Sequence, residues 1–273
     1  DRAGVGGRTE TGCQARRQTG GRQVSRSTPL RRGFFAVNGT SVKIISSNIQ
    51  AGSITRAYSE YVTRSWSHVL PNGKQSNLDS LADTYMGFDL VGLQECDPGS
   101  MRSGFSNQSE YLARKANFPF SSHQATRRVS RIAGSGNALL SRLQPVKIEH
   151  FALPGRIPGR GVLLAEFGDA GNTWHVAVTH LSLSASARRV QIAYLSELLA
   201  DKPRLVLMGD FNCDLLAPEM SRLFQHTSLK VPDRVLPTFP SWAAKRPIDH
   251  ILVGGLASAN YQTHVAAGSD HLA

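Results

Sequence analysis

Cysteine is scarce: Cys13, Cys96 and Cys213 are the whole complement of 273 residues, and no two stand in a Cys-x-x-Cys spacing. An odd, widely spaced set excludes a disulfide framework and a zinc ribbon, and it suits a reducing compartment, so a cytoplasmic location is expected. Long apolar runs are also missing. Nothing approaches the ~18–20 residues of a membrane span, and the start has no signal-like apolar stretch. The first residues are Asp1-Arg2-Ala3-Gly4 rather than Met, which reads as a processed, tagged or partial product. Four motifs are absent as well: the Walker A loop, the Rossmann glycine fingerprint, His-Glu-x-x-His and Gly-x-Ser-x-Gly. Phosphate-loop, dinucleotide, zincin and serine-hydrolase chemistry therefore have no footing here.

Acidic residues are few, 20 against 31 basic, for a net charge of +11. Residues 1–33 hold eight arginines against Asp1 and Glu10, a net +6, and the rest of the chain carries +5. The Gly/Arg/Thr/Gln-rich start has no hydrophobic period. It is expected to be a disordered basic tail over residues 1–40, able to meet polyanions nonspecifically. The mildly basic remainder permits a polyanionic substrate, nucleic acid included, without requiring one.

What the chain does have is a repeated placement. Short β-rich apolar runs end in a polar or ionisable residue: Val42–Ile45 before Asn48, Leu90–Leu93 before Glu95, Trp174–Val178 before His180, and Leu205–Met208 before Asp210 and Asn212. Ile248–Val253 encloses Asp249 and His250, and Ser269-Asp270-His271 closes the chain. Such runs read as buried strands, and strands that end together deliver their terminal side chains to one rim. Packing explains such a rim poorly; a hydrolytic metal site explains it well.

Helices are expected at Leu78–Phe88, capped by Asn77, at Ser109–Asn117, at Ala185–Ala200 and at Pro218–Phe224, with an aromatic-rich, partly helical stretch at Ser53–Leu70. Gly134-Ser135-Gly136-Asn137 reads as a turn before a strand, and the clusters Arg127, Arg128, Arg131 and Arg156, Arg160 read equally as contacts to a phosphate backbone or as solvated loop cations. Strands outnumber helices, and helices sit between groups of strands. The pattern predicts one α+β or layered β-sandwich domain over residues 41–273 rather than a doubly wound sheet.

The chemistry can be read residue by residue. Glu95 is a carboxylate suited to a hard, oxygen-preferring cation such as Mg²⁺ or Mn²⁺, and Asn48 can add an amide oxygen. Asp210 and Asn212 lie two apart, so an extended backbone would place both on one face, where they could hold a water and a phosphoryl oxygen. Adjacent Asp270 and His271 would point to opposite faces, which makes Asp249 the better partner to orient His271. His180 offers a second imidazole.

In order along the chain, Ser47-Asn48-Ile49, Leu93-Gln94-Glu95, Gly136 to Arg142, Thr179-His180-Leu181, Gly209-Asp210-Phe211-Asn212, Ile248-Asp249-His250-Ile251 and Ser269-Asp270-His271 resemble the motifs of the endonuclease/exonuclease/phosphatase superfamily, with its deoxyribonuclease-I-like fold. The resemblance runs from Val42 to the end. It implies a four-layer α/β/β/α sandwich of two packed, mainly antiparallel sheets flanked by helices. It also implies a metal-dependent phosphodiester hydrolase, with a nuclease as one form of it, and a phosphomonoesterase, a lipid phosphoesterase or a phosphate-binding pseudoenzyme as alternatives.

On that resemblance Glu95, Asn48 and Asp270 hold Mg²⁺ or Mn²⁺. Asp210 activates water, Asn212 holds phosphate, and His180 and His271 (paired with Asp249) stabilise the transition state. Asn137 and Arg160 meet the substrate. A monomer is expected. The family pattern continues past the Ser-Asp-His motif with an apolar strand. Only Leu272 and Ala273 follow here, so a missing closing strand is expected.

Overall fold

The computed structural model describes residues 33–37, 40–52, 74–129, 132–259, 261–265 and 269–273. The basic segment 1–32 and the aromatic-rich segment 53–70 lie outside them. The strands are β1 (Gly33–Val37), β2 (Thr40–Asn48), β3 (Leu90–Cys96), β4 (Phe120–Val129), β5 (Ala133–Ser141), β6 (Lys147–Ala152), β7 (Gly161–Phe167), β8 (Trp174–His180), β9 (Leu205–Asp210), β10 (Leu229–Lys230), β11 (Asp249–Gly254) and β12 (Ala257–Ala259). The α-helices are α1 (Lys74–Tyr85), α2 (Gln108–Lys115), α3 (Ala185–Leu199) and α4 (Ser221–His226). No helix among the described residues is long and apolar enough to cross a membrane.

Two six-stranded sheets form, in the orders β12-β1-β2-β3-β5-β4 and β10-β11-β9-β8-β7-β6. Each holds one parallel pair, β2/β3 and β8/β9, and every other pairing is antiparallel. A parallel pair needs a crossover; α1 lies between β2 and β3, and α3 between β8 and β9. The layers follow from the period-2 alternation of side chains. Ile44, Leu90, Val206 and Met208 face the seam between the sheets, with Leu163, Val176, Val178 and Ile251. Ile45, Val91 and Leu93 face the other way, onto Leu78, Leu81, Tyr85 and Leu112 of α1 and α2. Leu207, Ala177 and Leu252 face Ile192, Leu195 and Leu223 of α3 and α4. The result is the α/β/β/α sandwich. Each fully buried Leu or Ile contributes about 1.5–3 kcal/mol.

Three local expectations need correction. The expected tail contributes β1 at residues 33–37, which forms a hairpin with β2 and also pairs with β12. Phe34 to Val37 is itself a short apolar run, hidden behind its basic neighbours. The expected turn Gly134–Asn137 belongs to β5, paired with β4 on one side and, at Gly136, with Cys96 of β3 on the other. A Cβ at Gly136 would fall 2.2 Å from the Gln124 carbonyl oxygen, so this glycine allows close strand approach rather than a bend. Arg127 and Arg128 accordingly sit on β4, not in a loop. Helix α1 starts at Lys74, and Asn77 lies buried within it.

On β4 the His123 ring meets Ser109 Oγ at 3.0 Å through Nδ1, while its Nε2 is buried with no hydrogen-bond partner. Burial lowers its pKa to about 4 from 6.5, against the opposing pull of Asp97. Between those values the unfolded chain binds the extra proton. This contribution to stability is therefore intact above pH 6.5 and is lost as pH falls towards 4, by roughly 2–3 kcal/mol. Urea unfolding midpoints at neutral and acid pH should fall less steeply in His123→Gln than in the parent; equal slopes would discard this account.

Candidate active site

The register of the second sheet makes the centre of the site. His180 ends β8, Asp210 ends β9 and Asp249 starts β11, and Asp210 is the cross-strand partner of both the others. Three adjacent strands thus present three ionisable side chains at one level. In the other sheet Asn48 ends β2 opposite Gln94 of β3. The two sheets meet at Asp210, whose Oδ2 accepts from Asn48 Nδ2 at 3.1 Å and lies 3.3 Å from His180 Nε2.

His271 Nδ1 lies 2.9 and 3.1 Å from the two oxygens of Asp249. Its Nε2 therefore faces Asp210 Oδ2 at 3.9 Å and Asp270 Oδ1 at 3.7 Å. The pairing reasoned from sequence, Asp249 rather than Asp270, is the one present at hydrogen-bond distance. Two residues that sequence reasoning left without a part hold it in place. Ser269 donates its hydroxyl to the Asn48 carbonyl at 2.6 Å and accepts the His271 N–H at 3.1 Å. Thr238 Oγ1 accepts the N–H of Asp249 at 3.2 Å. Phe239 lies against the His271 ring with centroids 5.0 Å apart. At the chain end, Ala273 and His264 exchange both backbone hydrogen bonds, and Leu272 and Ala273 are buried.

Glu95 sits where β3 departs from its register, at a bulge between Leu93 and Cys96, with φ at +57°. Left-handed backbone at a non-glycine residue is strained, and a bulge re-aims a side chain. The Glu95 side chain lines a cleft of about 1000 Å³ together with Arg127, Arg156 and Arg160. Asp210 and Asn212 do not share an extended face as expected, because Asn212 turns to φ +55°. Its N–H donates to Asp210 Oδ1 at 2.9 Å and its Nδ2 to the Leu181 carbonyl at 3.0 Å. Asn137 is buried with its amide nitrogen already engaged, donating to Gln124 Oε1 at 3.0 Å and the Gly161 carbonyl at 2.9 Å. It ties the first sheet to the start of β7, next to Arg160. Gln124 has no signal in the sequence.

The electrostatics are those of crowded carboxylates. Burial, then the charge of Asp249, pushes Asp210 up to about 7. Burial also raises Asp270 to about 6, with Glu95 adding to it. Burial opposes charge on His271, but Asp249, Asp210 and Asp270 outweigh it and lift the imidazole to about 10. Burial, with Arg160 and His271 adding, holds His180 well below its ordinary value, so it is neutral and only His271 can be the imidazolium. Arg160 is pulled down by burial and up by Glu95 and Asp210.

The donor set fits a divalent cation. Glu95 and Asp270 offer hard oxygen donors, and Asp270 Oδ1 is buried without a hydrogen-bond partner. Asp210, Asp249 and His271 also converge within 4.8 Å, but there Asp249 and the His271 Nδ1 face each other.

Residues 45–271 match the model of the endonuclease/exonuclease/phosphatase family, and the chain belongs to that family. Among solved structures, an endonuclease/exonuclease/phosphatase from Beutenbergia cavernae aligns with a TM-score of 0.64 and 18% identity, over 85% of this chain and 69% of that one. Sphingomyelinase C from Streptomyces griseocarneus aligns with a TM-score of 0.57 and 15% identity, over 85% and 97%. A magnesium-bound beta toxin from Staphylococcus aureus gives 0.57 and 14%, over 85% and 98%. No curated protein matches in sequence.

Proposed function

We propose that the protein is a divalent-metal-dependent phosphodiester hydrolase acting by in-line attack of water. One observation carries the reading: a single buried carboxylate, Asp210, joins Asn48, His180 and the Asp249-paired His271 across both sheets. Glu95, Asp270 and Asn48 are the oxygen donors that would hold Mg²⁺ or Mn²⁺, in line with the magnesium-bound beta toxin of the same fold. When bound, that ion supplies Lewis-acid neutralisation of phosphoryl charge.

The remaining steps belong to the chain. Asp210 orients the attacking water and accepts its proton; a raised pKa suits a general base near neutral pH. Asp249 receives the Nδ1–H of His271 and so aims a charged Nε2–H into the site, where it stabilises the developing negative charge. His180 contributes a neutral N–H, Asn212 a side-chain amide, and Arg160 a cation over the cleft.

Two versions of the substrate have support. The arginines of the cleft suit a nucleic-acid backbone. Its aliphatic lining, with the likeness to a protein named sphingomyelinase C, suits a lipid diester. The deciding assay offers plasmid DNA, RNA, sphingomyelin, inositol phosphates and a chromogenic phosphodiester with Mg²⁺, Mn²⁺ or EDTA. EDTA should lower turnover by about a hundredfold or more, and Mg²⁺ or Mn²⁺ should restore it. Activity that survives EDTA contradicts the metal mechanism; silence on every substrate points to a phosphate-binding pseudoenzyme.

A further inference from the structure

Exposed large apolar side chains are not spread evenly over the described surface. β3, β8 and β9 end at the rim that carries Glu95, His180 and Asp210, and β5, β7 and β11 begin there. The loops at this rim expose Phe105, Ile132, Ile157, Leu183, Leu216 and Trp242. Ile157 and Leu183 are 75% and 78% exposed, and both line the cleft with Glu95 and Arg160, as does half-exposed Val190 of α3. Single exposed aliphatics are ordinary, but three that line one charged cleft, Ile157, Leu183 and Val190, are not.

The Leu183 loop is held outward by built contacts. Arg188 of α3 donates to the carbonyls of Ser182 and Leu183 while its other nitrogens bind Glu219 at 2.7 and 2.9 Å. Gln191 accepts the Ser182 N–H at 2.9 Å and donates to its hydroxyl at 2.9 Å. The exposure of Leu183 is therefore imposed by buried polar residues. The charge of the same loops leans one way: among their described residues Arg156, Arg160, Arg234, Lys245 and Arg246 stand against the exposed Asp214 and Asp233 and the buried Asp97.

We infer that this rim docks onto an anionic lipid–water interface, so that the cleft meets its phosphoester at a headgroup. The inference deepens the hydrolase reading of the site and rests on it for the chemistry. Aliphatic side chains interspersed with basic ones match a layer whose headgroups are anionic and whose next atoms are acyl carbons. A nucleic-acid backbone would use the arginines and leave Ile157 and Leu183 in water.

The test uses the full chain in EDTA with sedimentable vesicles of phosphatidylcholine, with and without a one-third fraction of phosphatidylglycerol. The protein should pellet with the phosphatidylglycerol vesicles, and the Ile157→Ser/Leu183→Ser double variant should bind them about tenfold more weakly or worse. Both positions are surface residues outside the catalytic cluster, and circular dichroism checks that the variant is folded. The variant keeps the basic residues 1–32, so unchanged vesicle binding would assign the effect to that segment and overturn the inference. Failure of the parent to pellet, or pelleting only with plasmid DNA or poly-uridine, would overturn it as well. Vesicle binding without hydrolysis of a chromogenic phosphodiester in Mg²⁺ would support the surface and count against the hydrolase reading.

Discussion

Replacing Asp210 with Asn is expected to lower kcat by about three orders of magnitude, the usual worth of a positioned general base, while the protein stays folded. The expectation rests on what the carboxylate does in its surroundings. Asp210 is buried, and burial together with the neighbouring Asp249 already disfavours its charge. The isosteric amide removes that repulsion and keeps one of the two contacts: its oxygen can still accept the Asn212 N–H, while its NH2 group meets the Asn48 Nδ2 donor. The relieved repulsion and the one lost hydrogen bond offset each other, so stability changes little while the proton acceptor is gone.

His271→Ala should match the loss of turnover for a different reason. It removes the imidazolium and leaves Asp249 as a buried carboxylate without its ring partner, at a stability cost of about 1–3 kcal/mol. Steady-state rates on a chromogenic phosphodiester, with unfolding curves for both variants, check the pair. Near-parental kcat in both purified variants would remove the assignment of this cluster as the active site.

The second large effect falls on stability. Gly209→Ala is expected to destabilise the fold by more than about 3 kcal/mol, the range of backbone strain compounded by overpacking. Gly209 has φ +147°, and a Cβ there would lie 1.9 Å from the Thr179 carbonyl oxygen of β8. Backbone cannot step aside as a flexible side chain can, so β8 and β9 would have to part at the level of His180 and Asp210. Gly171 is the internal comparison: its φ is +92°, but nothing lies within 4 Å of its would-be Cβ. Gly171→Ala should therefore cost only about 1–2 kcal/mol, the conformational part alone. Urea denaturation of both variants decides the matter. Equal losses would mean that the close approach of β8 and β9 contributes nothing.

Much of the core was legible in the residues. Short β-rich apolar runs located β2, β3, β7, β8, β9 and β11, and the helical spacing in Ala185–Ala200 located α3. The reason is local: a side chain's period along the chain decides which face it presents, whatever packs against that face. The same rule favoured Asp249 over Asp270 as the partner of His271, since adjacent residues of an extended chain diverge. Where a local rule met an exception, it misled. Asn212 leaves the extended conformation at φ +55°, Glu95 sits on a left-handed bulge, and Gly134–Asn137 runs straight where glycines suggested a turn.

By itself, then, the sequence determined the layered α+β architecture, the family motifs and which polar residues end the central strands, because each depends on spacing along the chain. Only the tertiary structure decided how those ends converge. Sheet register aligns His180, Asp210 and Asp249, and Asn48 reaches Asp210 from the opposite sheet. Ser269 and Thr238 then clamp the His271–Asp249 pair. Residues brought together from positions as far apart as 48 and 269 interact through space, and no periodicity in the chain encodes that distance.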